Sequence, residues 1–135
     1  TTLTRGQLGA LGEQLAVEHL TSLGLRILAR NWRCRYGELD IIAADADRTV
    51  VFVEVKTRSG DGFGGLPEAV TPVKVRRLRR LAGLWLAAQD TGWAGVRIDV
   101  IGDLGADLNV EIDVEQHLLH VRQVLRGFLE EHLVD

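Results

Sequence analysis

Residues 37–58 read Gly37-Glu38-Leu39-Asp40-Ile41-Ile42-Ala43-Ala44-Asp45-Ala46-Asp47-Arg48-Thr49-Val50-Val51-Phe52-Val53-Glu54-Val55-Lys56-Thr57-Arg58. Two apolar runs rich in Ile and Val flank a polar break at 45–48. That pattern predicts two strands joined as a hairpin. With the tip centred on Asp47, Asp40 lies opposite Glu54 and Glu38 opposite Lys56. Side chains alternate faces along a strand. All four charged residues then share one face with Ile42 and Phe52, while Leu39, Ile41, Ala43, Val51, Val53 and Val55 form the core face. A slip of one residue would separate Asp40 from Glu54. Charges inside apolar strands are costly unless something pairs with them.

The rest of the chain frames that hairpin. Its 135 residues suit one domain, with a core over about 5–125 and a tail at 126–135. Apolar residues make up 46% and charged residues 26%, as in a soluble globular protein. No apolar run approaches the ~18 residues of a membrane helix, and the first residues lack the apolar core of a secretory signal. Cys34 is the only cysteine, so no internal disulfide forms. A buried thiol in a cytoplasmic protein is the expectation.

Leu8, Leu11, Leu15 and Leu23 predict a helix over 5–23 with His19 on the same stripe. Glu13 falls on its flank, where a solvated carboxylate is the ordinary outcome. Residues 25–36 predict one strand or two short pieces with an irregularity at Asn31. The glycine-rich run 59–66 lacks the Gly-Lys-Ser/Thr ending of a phosphate-binding loop. Thr71-Pro72 predicts a helix start, with Val75, Leu78, Leu81, Ala82, Trp85 and Leu86 as its apolar stripe, running to about Gln89 or Asp90. Arg76, Arg77 and Arg80 should face away, with Lys74 beside the stripe. Strands are expected over 95–104 and 108–114 as a second hairpin, and a helix from Glu115 onward. His117 and His120 lack a third ligand for zinc. The order implies an α/β or α+β layer architecture around a mixed sheet.

Two ionised carboxylates facing each other repel, and a divalent cation removes the conflict. Oxygen ligands favour Mg²⁺ or Mn²⁺. Lys56, on the same face, would stand near a scissile phosphate and stabilise the charge that develops there. Lys74, Arg76, Arg77, Arg80 and Arg58 would hold neighbouring phosphates of DNA. The net charge of −3 argues against coating nucleic acid by bulk charge. Two other readings compete: a nucleic-acid-binding module without catalysis, and a protein in which the charged face is only an ion-pair network.

Asp40 with Glu54-Val55-Lys56 resembles the PD-(D/E)xK nuclease signature. Gly12-Glu13, Arg30-Asn31, 37–42, 52–58, Lys74 and Asp99-Val100-Ile101 together resemble the YraN family, described as predicted endonucleases distantly similar to archaeal Holliday junction resolvases. The resemblance extends to about Leu125. It implies a restriction-endonuclease-like α/β core, a mixed sheet flanked by helices, with Asp40 and Glu54 as metal ligands and Lys56 as catalytic lysine. It also brings Glu13 to the active site, since a first-helix carboxylate joins it in the resolvases. The signature's proline is absent, with Leu39 before Asp40. An enzyme cutting two strands is compatible with a homodimer.

Overall fold

The computed structural model describes residues 3–56 and 71–102, together with the backbone of two strands, Asn109–Val114 and His117–Gln123. Helix α1 (Arg5–Ser22) opens with a reciprocal cap. The Gln7 N–H donates to the Thr4 hydroxyl (3.1 Å), and the Thr4 N–H donates to Gln7 Oε1 (2.9 Å). Its buried line is Leu8, Gly12, Ala16 and Leu20. The expected leucine stripe is corrected: Leu11, Leu15 and His19 are only half-buried, and Leu23 is exposed. Counting large apolar residues overlooks Gly12 and Ala16, whose small size lets a helix approach a sheet closely.

Strands β1 (Arg26–Cys34), β2 (Gly37–Ala44), β3 (Thr49–Lys56), β4 (Gly95–Gly102), β5 (Asn109–Val114) and β6 (His117–Gln123) form a six-stranded sheet in the order β1-β2-β3-β4-β6-β5. The β1–β2, β2–β3 and β5–β6 pairs are antiparallel; β3–β4 and β4–β6 are parallel. Parallel neighbours need a crossover, and helix α2 (Pro72–Ala87) lies between β3 and β4 in sequence. Thr71 caps it and Pro72 opens it, as expected; it ends slightly early, at Ala87.

The sheet has a core on each face, so the fold is α/β with a mixed sheet between helices. On the α2 side, Ile42, Phe52, Ile98 and Val100 pack with Val75, Leu78, Leu81 and Trp85. On the α1 side, Ile41, Val51, Val53 and Ile101 pack with Ala16 and Leu20. Phe52 meets Trp85 edge-on, with ring centroids 5.6 Å apart.

The hairpin register is the one read from the sequence, with Ile41 opposite Val53 and Ala44 opposite Val50. Asp45 fixes it: its carboxylate accepts the N–H groups of Asp47 and Thr49, both at 2.9 Å. Leu39 departs from the expected alternation. It packs on the α2 side with Ile42 rather than with Ile41. The β1–β2 register brackets Asn31 and Asp40 between the Arg30–Ile41 and Trp32–Leu39 pairs. Asn31 has φ +53°, but the register shift of β1 against β2 falls between Ile27 and Ala29, not at Asn31 where the sequence suggested it.

Two corrections concern the C-terminal part. Residues 117–123 form a strand, not the start of a helix, and the second hairpin is β5–β6 rather than β4–β5. Leu119 and Val121 alternate as well as they fit a helical period, and so short a run is ambiguous. The parallel pairing with β4, Ile98 opposite Leu119 through Gly102 opposite Gln123, decides the matter. The tail at 126–135, the glycine-rich run 59–66 and Arg58 lie outside the described residues.

Gly102 is where β4 passes β3 beside Lys56. A Cβ there would stand 1.8 Å from the Lys56 carbonyl oxygen, and φ is +155°. Gly102→Ala is therefore expected to lower stability by at least about 1–3 kcal/mol, read as a fall in the midpoint of chemical denaturation.

Candidate active site

Asp40 and Glu54 come together where β2 and β3 part. Ladder pairing reaches Ile41–Val53. Beyond it, Asp40 Oδ2 accepts the backbone N–H of Val55 at 2.8 Å. The carboxylate thus takes the place of a main-chain acceptor and is fixed across the gap. Burial pushes the Asp40 carboxyl up to about 6, against the Val55 hydrogen bond, and the charges of Glu54, Glu38 and Glu13 push the same way. Burial also raises the Glu54 carboxyl, despite the opposing charges of Arg77, Lys56 and Lys74.

The Glu54 side chain is 19% exposed, and its Oε1 accepts from Arg77 Nη2 at 3.0 Å. Its Oε2 is buried with no hydrogen-bond partner among the described residues. Lys56 ends β3, half-buried. It is two residues from Glu54 and close enough for its charge to act on that carboxylate.

Glu13 is not the solvated flank residue its helix position suggested. Its side chain is 15% exposed, and Oε1 accepts from Arg30 Nε (2.9 Å) and Asn31 Nδ2 (3.1 Å). The Arg30-Asn31 pair noted in the sequence thus ties Glu13 to β1, where its charge reaches Asp40. Glu38 does not pair with Lys56 as the extended register implied. The β2–β3 ladder stops short of it, and Arg33 binds it at 3.1 Å.

The basic residues divide. Arg77 does not face away: it reaches back to Glu54. Lys74 is half-buried, and its charge acts on the same carboxylate. Arg76 and Arg80 are exposed and, with Arg79, border a groove of about 480 Å³ floored by Leu86, Val96 and Ile98. Arg80 also stacks over the Tyr36 ring at 3.9 Å, with Arg35 over the same ring at 4.8 Å. Tyr36 was not singled out from the sequence, since only the folded β1–β2 turn brings it under α2. Asp99, part of the resemblance but given no role by it, is buried and gripped by Arg97 Nε (2.9 Å) and Nη2 (3.1 Å). Their spacing of two on one strand was the available signal.

Among the described residues no three His, Cys, Asp or Glu side chains gather into a metal-holding group. Two carboxylates do fit a cation of the Mg²⁺ type, which is commonly held by one or two carboxylates with substrate phosphates completing the shell. The partnerless Glu54 Oε2 and the raised carboxyls of both residues fit a missing positive charge.

The geometry defines an α/β protein with two half-buried carboxylates and a lysine at the opening of a β-hairpin. The chain belongs to the uncharacterised protein family UPF0102, whose sequence model matches residues 12–102, and this is the YraN family of the resemblance. A UPF0102 protein of Mycobacterium avium (strain 104) is 79% identical over 103 residues, covering 76% of this chain and 80% of that one. One of Mycobacterium ulcerans (strain Agy99) is 72% identical over 122 residues, covering 89% and 98%. Among solved structures, a repair endonuclease from Pyrococcus abyssi aligns with 97% of this chain and 45% of its own, at 14% identity and a TM-score of 0.47. An EndoMS–dsDNA2 complex aligns with 89% of this chain and 41% of its own, at 14% identity and a TM-score of 0.45. This chain spans less than half the length of either. No helix among the described residues is long and apolar enough to cross a membrane.

Proposed function

We propose that this protein is a Mg²⁺- or Mn²⁺-dependent endonuclease of the restriction-endonuclease-like class that hydrolyses phosphodiester bonds in DNA, branched or otherwise structured DNA included, in repair or recombination. The observation that carries the reading is the buried, partnerless Glu54 Oε2 beside the fixed Asp40 carboxylate, with Lys56 two residues on. A divalent cation there would supply positive charge that neutralises both carboxylates and polarises the scissile phosphate. Asp40 and Glu54 would hold it. Lys56 would place its ammonium by the phosphate and stabilise the charge that builds up during attack. Arg76 and Arg80 would hold flanking phosphates. The reading is tested with linear, flapped and four-way DNA in Mn²⁺. Cutting of at least one substrate by wild type and none by Glu54→Ala is expected; equal behaviour of the two proteins across the panel refutes it.

The raised Asp40 carboxyl gives a pH prediction. Because its folded value lies above the ordinary one, the protonated form is favoured by folding. The contribution to stability is present below the ordinary carboxylate range and is lost as pH rises through about 6. Asp40→Asn should therefore raise the melting temperature near neutral pH and change it little near pH 4. Thermal melts at the two pH values check this.

A further inference from the structure

The Arg77–Glu54 contact is a half-made ion pair. Arg77 Nη2 donates to Glu54 Oε1 at 3.0 Å. Arg77 Nε and Glu54 Oε2 are both buried, and neither has a hydrogen-bond partner among the described residues. A fork-to-fork arrangement would satisfy both atoms at once and is the usual geometry of an arginine–carboxylate pair. A contact kept only for stability has no reason to leave a donor and an acceptor of the same pair buried without partners. The two atoms make opposite demands: Oε2 calls for a cation, and Nε calls for an acceptor oxygen. The Arg77 side chain is 40% exposed, so it has room to turn outward, whereas Glu54 is fixed in a strand at 19% exposure.

We propose that Arg77 is a built-in stand-in for the divalent cation, a positioning residue that neutralises Glu54 until the cation arrives and then passes to a phosphodiester oxygen of the substrate. This rests on the nuclease reading above. Two cations sharing one carboxylate repel each other, so with a divalent ion held by Glu54 the Arg77 guanidinium would leave that carboxylate. The released fork is suited to a phosphate. Cation and DNA then strengthen each other's binding, and by linkage the gain is reciprocal. Such a device keeps the loaded site scarce until substrate is present.

The test measures Mn²⁺ binding by electron paramagnetic resonance for wild type, Arg77→Gln, Arg77→Lys and Glu54→Ala. Removing the competing charge should tighten Mn²⁺ binding on the order of tenfold in Arg77→Gln. Arg77→Lys, which keeps the charge, should behave as wild type, and Glu54→Ala should lose binding. A second arm measures affinity for a short DNA duplex with and without Ca²⁺. Ca²⁺ should tighten DNA binding by wild type more than by Arg77→Gln. Mn²⁺ binding that Arg77→Gln leaves unchanged or weakens overturns the role of Arg77 alone, as does an equal Ca²⁺ gain in both proteins. Absence of Mn²⁺ binding in wild type and Arg77→Gln alike overturns this role and the nuclease reading together.

Discussion

Lys56→Ala is expected to lower DNA cutting by about 10²–10³-fold while leaving Mn²⁺ binding in place, and Glu54→Ala to remove both. Loss of one preorganised charge-stabilising donor typically has that effect on turnover. The separation follows from where the two groups stand. Glu54 lies inside the hairpin opening with an oxygen that nothing among the described residues satisfies. Lys56 sits at the end of the same strand, half-buried, where its charge acts on Glu54. Removing that charge also pushes the Glu54 carboxyl further up, so the comparison is made at about pH 8, where the carboxylate stays ionised. Turnover under saturating Mn²⁺, measured beside Mn²⁺ titration, reads the two roles apart. If Lys56→Ala cuts at the wild-type rate, the lysine has no part in the chemistry.

The largest loss of stability is expected from Phe52→Ala, about 3–5 kcal/mol, the range for deleting a buried aromatic side chain. Phe52 is fully buried in the α2-side core and meets Trp85 edge-on. It also precedes Glu54 by two residues on one strand, so a cavity here would loosen the base of the site. Leu84→Ala on α2 is the control: Leu84 is 37% exposed, and a surface change of that kind stays within about 0.5 kcal/mol. Urea denaturation distinguishes the two. A loss below about 1.5 kcal/mol for Phe52→Ala would mean that α2 does not depend on this contact in solution.

The sequence made the hairpin and its register legible because a short polar break between two long apolar strands leaves few registers. Asp45, which locks the chosen one, is local and readable in hindsight. What stayed hidden depends on distant partners or on backbone form. Leu39 packs on the α2 side, against the alternation its neighbours Ile41 and Ala43 follow, and the register shift of β1 lies between Ile27 and Ala29. The buried line of α1 runs through Gly12 and Ala16, which carry no apolar signal of their own. Residues 117–123 pair in parallel with β4, a long-range contact that their own short pattern does not announce. Arg77 looked like one of several outward arginines, and only the packing of α2 over β3 shows it reaching Glu54. Glu13 is the opposite case. The resemblance brought it to the site, and Arg30 and Asn31 show what holds it against the sheet.

The central claim is that Asp40 and Glu54 together hold one divalent cation. Calorimetric titration of Mn²⁺ into wild type, Asp40→Asn and Glu54→Ala at about pH 8 tests it most directly. One Mn²⁺ bound per chain by wild type, and none detectable in either variant, is the predicted result. Binding of equal affinity in all three proteins, or no binding by wild type, would contradict it.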